Sequence, residues 1–280
     1  ACGADVVCLQ ESSAPATRLI AKALGLFCAE ENATLSRFPI APVAGKRKKH
    51  QRSDGWGNPC RKGGGLSCVQ VPVQGVGLCQ ILVGNCHLCH WPYLEFFKNK
   101  RATCAKAVEL ERKHCLPGLA PLLRDLSAAQ RKIGPGLLGS LLCGDFNGVS
   151  YLDYLDHMGA DVPFPCSLAC EAAGLEDTYA QANPSHLGMW RRHKEGDNSA
   201  GTYFLRGGYW GPPQADPVVQ YPRGDQKKAQ HFERIDFVFA SGERLAVEKS
   251  VTVDHTYPGC PPHWPSDHRA VLTDLSWQLP

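Results

Sequence analysis

Leu137-Leu138-Gly139-Ser140-Leu141-Leu142-Cys143-Gly144-Asp145-Phe146-Asn147 is an apolar run that stops abruptly at a carboxylate and an amide. Leu137 to Phe146 reads as a buried strand, and the helix-closing Gly134-Pro135-Gly136 stands just before it. Asp145 and Asn147 lie two apart on an extended segment and share one side of it. The junction recurs elsewhere. Glu11 follows Val6-Val7-Cys8-Leu9-Gln10, and His87 follows Ile81-Leu82-Val83-Gly84-Asn85. Asp267-His268 stands just before Arg269-Ala270-Val271-Leu272. One such junction is a structural feature, because Asp and Asn form turns at strand ends. Four of them, rich in carboxylate and imidazole, point to an assembled site, since α/β folds place chemistry where a rigid strand meets a loop.

Strand-like and helical stretches alternate along the rest of the chain. Asp5 to Gln10 reads as a buried strand. Ser13 then offers an N-cap to a helix whose stripe is Leu19, Ile20, Ala23 and Leu24, with Gly25 closing it. Ser36 to Ile40 is a short extended piece, and Ala44 to Gly65 is a polar, basic, Gly-rich loop. Val69 to Leu88 reads as a hairpin turning near Gln74-Gly75, Arg101–His114 and Ala120–Ile133 as helices, and Ser167 to Ala173 as a short one. Pro184 to Arg223 is loop-rich with one strand at Thr202-Tyr203-Phe204; strands follow at Arg234–Ala240, Leu245–Val253 and Ala270–Leu275. Hairpin and crossover strands mixed with helices imply one α/β domain over residues 1–280, with a mixed sheet or two packed sheets.

Composition excludes little. Of 280 residues, 43% are hydrophobic and 20% charged, an ordinary globular balance. No apolar run approaches the roughly 18 residues that cross a bilayer, so no membrane span is expected. A net charge of +3 names no partner. Gly45-Lys46-Arg47-Lys48-Lys49-His50-Gln51-Arg52 concentrates cations, which suits either a solvated loop or a segment tracking phosphates. The 14 cysteines include several in apolar runs and several near Pro or Gly, so the redox compartment and the localisation stay open.

The residue types fit hydrolysis of a phosphate ester. Hard oxygen donors such as Glu11 and Asp267 suit Mg²⁺, Mn²⁺ or Ca²⁺. Asp145 can accept a proton from water while the Asn147 amide orients it. His268 beside a carboxylate such as Asp236 can be held in one tautomer and contact phosphate oxygen.

Six blocks carry a resemblance. Leu9-Gln10-Glu11-Ser12, Leu35-Ser36-Arg37-Phe38-Pro39-Ile40, Asn85-Cys86-His87-Leu88, Gly144-Asp145-Phe146-Asn147, Glu233 to Phe239 and Trp264 to Val271 resemble, in order, the signature of the endonuclease/exonuclease/phosphatase superfamily, the DNase I-like fold. The resemblance spans Asp5 to Leu275. It implies an α/β fold, a four-layer sandwich of two mixed sheets face to face with helices outside. It also implies a divalent-metal-dependent phosphoric ester hydrolase with its site at one end. Glu11 would ligate Mg²⁺ (or Mn²⁺/Ca²⁺), with Asp267 a further metal or water ligand. Asp145 would activate water, Asn147 would orient it, Asp236 would orient His268, and His268 would contact the scissile phosphate. His87 would serve the leaving-group side. Arg37, Asn85, Lys46 and Lys48 are the expected substrate-binding residues, and Thr202-Tyr203 gives structural support. A phosphodiesterase or nuclease is preferred, with nucleic acid among its substrates, over a phosphatase of small-molecule or lipid phosphate esters. A monomer is expected. The family's opening strand, ending in an Asn at the metal site, and the helix after it have no match here. The chain is therefore expected to lack one strand, one helix and one ligand, and to bind metal weakly.

Other readings compete. Cys86-His87-Leu88-Cys89-His90 matches the Cys-x-x-Cys-His pattern of covalent haem attachment. Cys86, Cys89 and His90 with a distant thiol could instead hold a structural zinc. A non-catalytic basic binding module would use the Lys46 to Arg52 run. Arg234, two residues from Asp236, suits either phosphate binding or a structural ion pair. Trp91-Pro92-Tyr93 suits a substrate groove or packing. Substrate choice would rest with the loops Ala44–Gly65, Trp91–Lys100 and Pro184–Arg223.

Overall fold

The computed structural model describes residues 3–43, 52–53, 59–60, 64–90, 104–156, 161–188, 203–206, 230–254, 258, 266 and 268–278. β1 (Val6–Cys8) leads into α1 (Ala14–Leu24). Ser13 caps that helix by accepting the Ala16 N–H, a proline occupies the first turn, and Gly25 ends it at φ 68°. The expected stripe of Leu19, Ile20, Ala23 and Leu24 is exposed; the helix turns Thr17 and Ala21 inward instead, with the Thr17 hydroxyl tied to Ser12 and the Ser13 carbonyl. β2 (Phe27–Ala29), β3 (Thr34–Ser36) and β4 (Ile40–Pro42) follow. The single extended piece expected over Ser36 to Ile40 is thus the junction of two strands, with Pro39, which has no N–H to donate, between them. Within the basic loop, β5 (Arg52–Ser53) pairs β6 (Pro59–Cys60).

β7 (Gly65–Val73) and β8 (Gly77–His87) form the expected hairpin around Gln74-Gly75-Val76. The crossover contains α2 (Cys104–His114) and α3 (Leu116–Ile133). α3 starts four residues before the expected Ala120, because Pro117 is tolerated in a first helical turn. The crossover returns β9 (Leu137–Asp145) parallel to β8, and parallel neighbours require a long connection of this kind. α4 (Pro165–Ala172), β10 (Glu176–Asp177), α5 (Thr178–Ala182), β11 (Tyr203–Arg206), β12 (Gln230–Glu233), β13 (Asp236–Ser241), β14 (Leu245–Val253) and β15 (Ala270–Trp277) complete the order.

The central sheet runs β10-β13-β9-β8-β7-β4. Its two faces bury different partners. Leu82, Cys86, Leu142, Phe146, Phe237 and Phe239 share a core with Leu119, Leu122, Leu123 and Leu126 of α3 and Cys166 and Cys170 of α4. Val69, Val71, Ile81, Val83, Leu141 and Ala240 face the other way. They meet Val6 and Cys8 of β1, Ile40 of β4, Leu245, and Leu275 and Trp277 of β15. β1-β3-β2 and β14-β15 are therefore a second layer, with α1 packed on β2 and β3 and α5 joining β14 to β13 of the central sheet. Helix, sheet, sheet and helix stack as four layers, as the resemblance implies. No helix among the described residues is long and apolar enough to cross a membrane.

Candidate active site

Three strands of the central sheet end together. In the parallel register His87 of β8 stands beside Asp145 of β9, and in the antiparallel register Asp236 of β13 stands on the other side of Asp145. Each alternates with residues committed to the helix-side core, so all three side chains project toward the second sheet. Two backbone bonds close this end of the sheet: Leu88 N–H to the Asp145 carbonyl at 2.8 Å, and Phe146 N–H to the Ile235 carbonyl at 2.8 Å. Gly144 makes the close approach feasible. A Cβ there would lie 2.0 Å from the Cys86 carbonyl oxygen, with φ at +152°.

Asp145 is buried and held by its own turn. Oδ1 accepts the Asn147 backbone N–H at 2.7 Å, and Oδ2 accepts the Asn147 side-chain amide at 3.2 Å. The same amide donates to the Leu88 carbonyl at 3.1 Å. Asn147 adopts φ 46°, a left-handed conformation that Asn tolerates better than most residues. Burial, then the charge of Asp236, push the Asp145 carboxyl up to about 8; His268 and the Asn147 N–H oppose them. His87 Nε2 lies 3.5 Å from Asp145 Oδ2. Burial lowers the His87 pKa, and the charge of Glu11 offsets part of that. At neutral pH the pair is thus a neutral imidazole beside a carboxyl that holds its proton.

His268, at the entrance to β15, reaches across from the second sheet. Its Nδ1 is 2.9 Å from Asp236 Oδ2. Asp145, Asp236 and His268 each offer one ligand atom, all within 4.8 Å of one another, and no other such cluster of three occurs among the described residues. Two carboxylates at adjacent register positions form a hard-oxygen set whose mutual repulsion a divalent cation would relieve. The donor set therefore fits Mg²⁺, Mn²⁺ or Ca²⁺. Glu11 lies outside that cluster but within electrostatic reach of both Asp145 and His87. It is exposed, with φ 54°.

The sequence matches the family model described as Endonuclease/Exonuclease/phosphatase family over residues 1–268. The chain belongs to that family. Its members are metal-dependent phosphoric ester hydrolases. No curated protein matches the sequence. Among solved structures, an endonuclease/exonuclease/phosphatase from Beutenbergia cavernae is 20% identical with TM-score 0.41, over 87% of this chain and 47% of that one. The present chain thus spans about half the length of that relative. Truncated Caenorhabditis elegans TDP2 is 15% identical with TM-score 0.46, over 99% of this chain and 86% of that one. The human Nocturnin catalytic domain is 15% identical with TM-score 0.45, covering 98% and 81%.

Other expected residues fall elsewhere in this family fold. Asn85 is buried, and its amide is spent joining the two sheets. Nδ2 donates to the Leu9 and Asn32 carbonyls at 3.0 and 2.7 Å, and Oδ1 accepts from Gln10 at 2.8 Å. This geometry makes Asn85 a tie behind Glu11, in place of the expected substrate contact. Arg37 pairs with Asp5 at 2.9 Å, both side chains exposed. Lys46, Lys48, Asp267, Trp91, Tyr93 and Thr202 lie outside the described residues. Cys86 is in the helix-side core, and Cys86, Cys89 and His90 do not converge on one another as ligands. The geometry offers neither the haem nor the zinc reading a site.

Arg234 takes the structural alternative. It is fully buried, with Nε 3.0 Å from Asp153 and Nη1 2.8 Å from Asp177 Oδ1, and it lies over the rings of Tyr179 and Phe237. It fixes the chain entering Asp236. The sequence reading missed its partners. Asp153 stands among Tyr151, Leu152 and Tyr154, and an acid inside an aromatic, apolar stretch is the signal that was there to use.

Proposed function

We propose that this chain is a divalent-metal-dependent phosphodiesterase of nuclease type. The observation that carries the reading is the row His87–Asp145–Asp236 on adjacent strands, met from the opposite sheet by His268. A phosphate placed between the sheets at this end would face all four side chains. Asp145, once ionised, takes the proton of the attacking water, and Asn147 holds its two oxygens in place. Asp236 accepts from His268 Nδ1, which leaves Nε2 turned outward for a phosphate oxygen. His87, neutral and half-buried, serves the leaving-group side. A divalent cation, held by Asp145 with Glu11 and Asp267 as further ligands, would supply positive charge for the phosphate and a lowered water pKa. Lys46 and Lys48, in the basic stretch, would bind substrate phosphates.

The test is a panel of plasmid DNA, RNA, a bis-aryl phosphate and inositol or sphingolipid phosphoesters, each with Mg²⁺, Mn²⁺ or EDTA. Turnover is expected on a diester, dependent on metal, and lost in Asp145→Asn and His268→Ala. Cleavage of monoesters alone would move the reading to a phosphatase. Turnover retained by both variants would overturn the role assignment.

A further inference from the structure

Glu111 of α2 is 1% exposed, and neither carboxyl oxygen makes a hydrogen bond of good geometry. An acid so placed needs a reason, because a buried polar group without good hydrogen bonds costs about 1–3 kcal/mol, of which the Cys166 thiol and backbone N–H offset only part. What it touches supplies one. A Cβ built on Gly148 would lie 2.6 Å from Glu111 Oε1 and 3.4 Å from its Cδ, so the carboxyl is seated against the Gly148 backbone. Gly148 directly follows Asn147, and every residue from Gly144 to Ser150 is buried. The turn that aims Asp145 thus rests on Glu111 from the helix side.

Resting on the phosphodiesterase reading above, we propose that Glu111 is a positioning residue for that reaction: its buried carboxyl is the seat that holds the Asp145–Asn147–Gly148 turn in its left-handed bend. Chemistry also keeps the seat uncharged. Burial drives the carboxyl up to about 8, against the opposing pull of the Cys166 thiol and backbone N–H at the first turn of α4. The titratable groups facing it are thiols: Cys166 directly, Cys170 one turn on, and Cys115 beside Cys166. Burial also raises the pKa of Cys166 and of Cys170, so among the described residues no cation balances Glu111 when it ionises. Above pH 8 a bare carboxylate would then sit against the catalytic turn.

Two measurements test this, one of them independent of activity. In full-length protein with saturating Mg²⁺ and a bis-aryl phosphate, wild-type kcat should fall about tenfold from pH 7 to pH 9 as a group with pKa near 8 ionises, with KM within about threefold. Glu111→Gln should keep wild-type kcat at pH 7 and stay flat to pH 9 within about twofold. A Glu111→Gln protein with the wild-type alkaline fall, or with more than tenfold loss at pH 7, overturns the proposal. In thermal melts, Gly148→Ala should lower Tm by roughly 3–8 °C, and by under about 2 °C when combined with Glu111→Ala, which makes room for the methyl. Additive shifts overturn the seating itself. If the pH test fails because no phosphoester is turned over, the melts still decide whether Glu111 holds the turn.

Discussion

Proton-coupled metal binding at Asp145 is the sharpest consequence of this geometry. Without a cation the Asp145 carboxyl is pushed up to about 8, first by burial and then by Asp236 one strand away. The fold therefore favours the protonated form. Its contribution to metal-free stability is full below the unfolded carboxylate value and is lost as pH rises toward 8. A divalent cation against Asp145 must displace that proton, so apparent affinity climbs with pH until the group is ionised unaided. For one group at about 8, the ionised fraction rises roughly 50-fold between pH 6 and pH 8, about 2.3 kcal/mol in binding free energy. Titration calorimetry with Mg²⁺ at pH 6, 7 and 8, in two buffers of different ionisation enthalpy, should show this slope and the release of close to one proton at pH 6. Asp145→Asn should bind more weakly and lose the slope. An affinity changing less than about threefold across this range, or the same slope in Asp145→Asn, would refute the assignment of Asp145 as the group a cation meets.

Three further outcomes follow from named contacts. Asp236→Asn replaces the charged acceptor 2.9 Å from His268 Nδ1 by a neutral amide and should cost about 10²–10⁴ in kcat, with Asp236→Asn/His268→Ala little worse than the poorer single variant, measured on whichever diester is turned over. Gly144→Ala drives a methyl to 2.0 Å from the Cys86 carbonyl between β8 and β9 and should cost on the order of 3 kcal/mol, read as a Tm drop near roughly 10 °C. Arg234→Met leaves Asp153 and Asp177 buried without their cation and should cost about 3–5 kcal/mol in urea unfolding, most of it recovered when both acids are also changed to Asn.

What the sequence disclosed and what it hid divide along physical lines. The hairpin and the strand into Asp145 were legible from local periodicity, and α1 from its Ser13 and Gly25 caps, whereas the apolar stripe read for α1 pointed to the wrong face, since the helix buries Thr17 and Ala21. The candidate site was legible where a strand ends in an acid or imidazole, as at His87, Asp145 and Asp236. Long-range pairing was not. Nothing local says that Asn85 is consumed by the Leu9 and Asn32 carbonyls, or that Arg234 finds Asp153 and Asp177. Glu111 was hidden for another reason. Its position, four residues after buried Ala107 and next to buried Leu110, puts it on the inward face of α2, but an acid in Glu109-Leu110-Glu111-Arg112 looks like solvated surface.

The core also explains why the site acids are where they are. Asp145-Phe146 and Asp236-Phe237 each put an acid on one face of the sheet and a ring on the other. Phe146 and Phe237 meet edge-to-face at 5.2 Å, and Phe239 completes the cluster at 5.4 Å from both. A slip of one residue between β9 and β13 would turn a phenylalanine into the site and a carboxylate into the helix-side core, an exchange that buried apolar area forbids. The rings thus set the register that forces Asp145 and Asp236 into a repulsive neighbourhood. The fold holds two acids closer than they would choose, and on the proposed reading that unfavourable pairing is what a divalent cation would relieve.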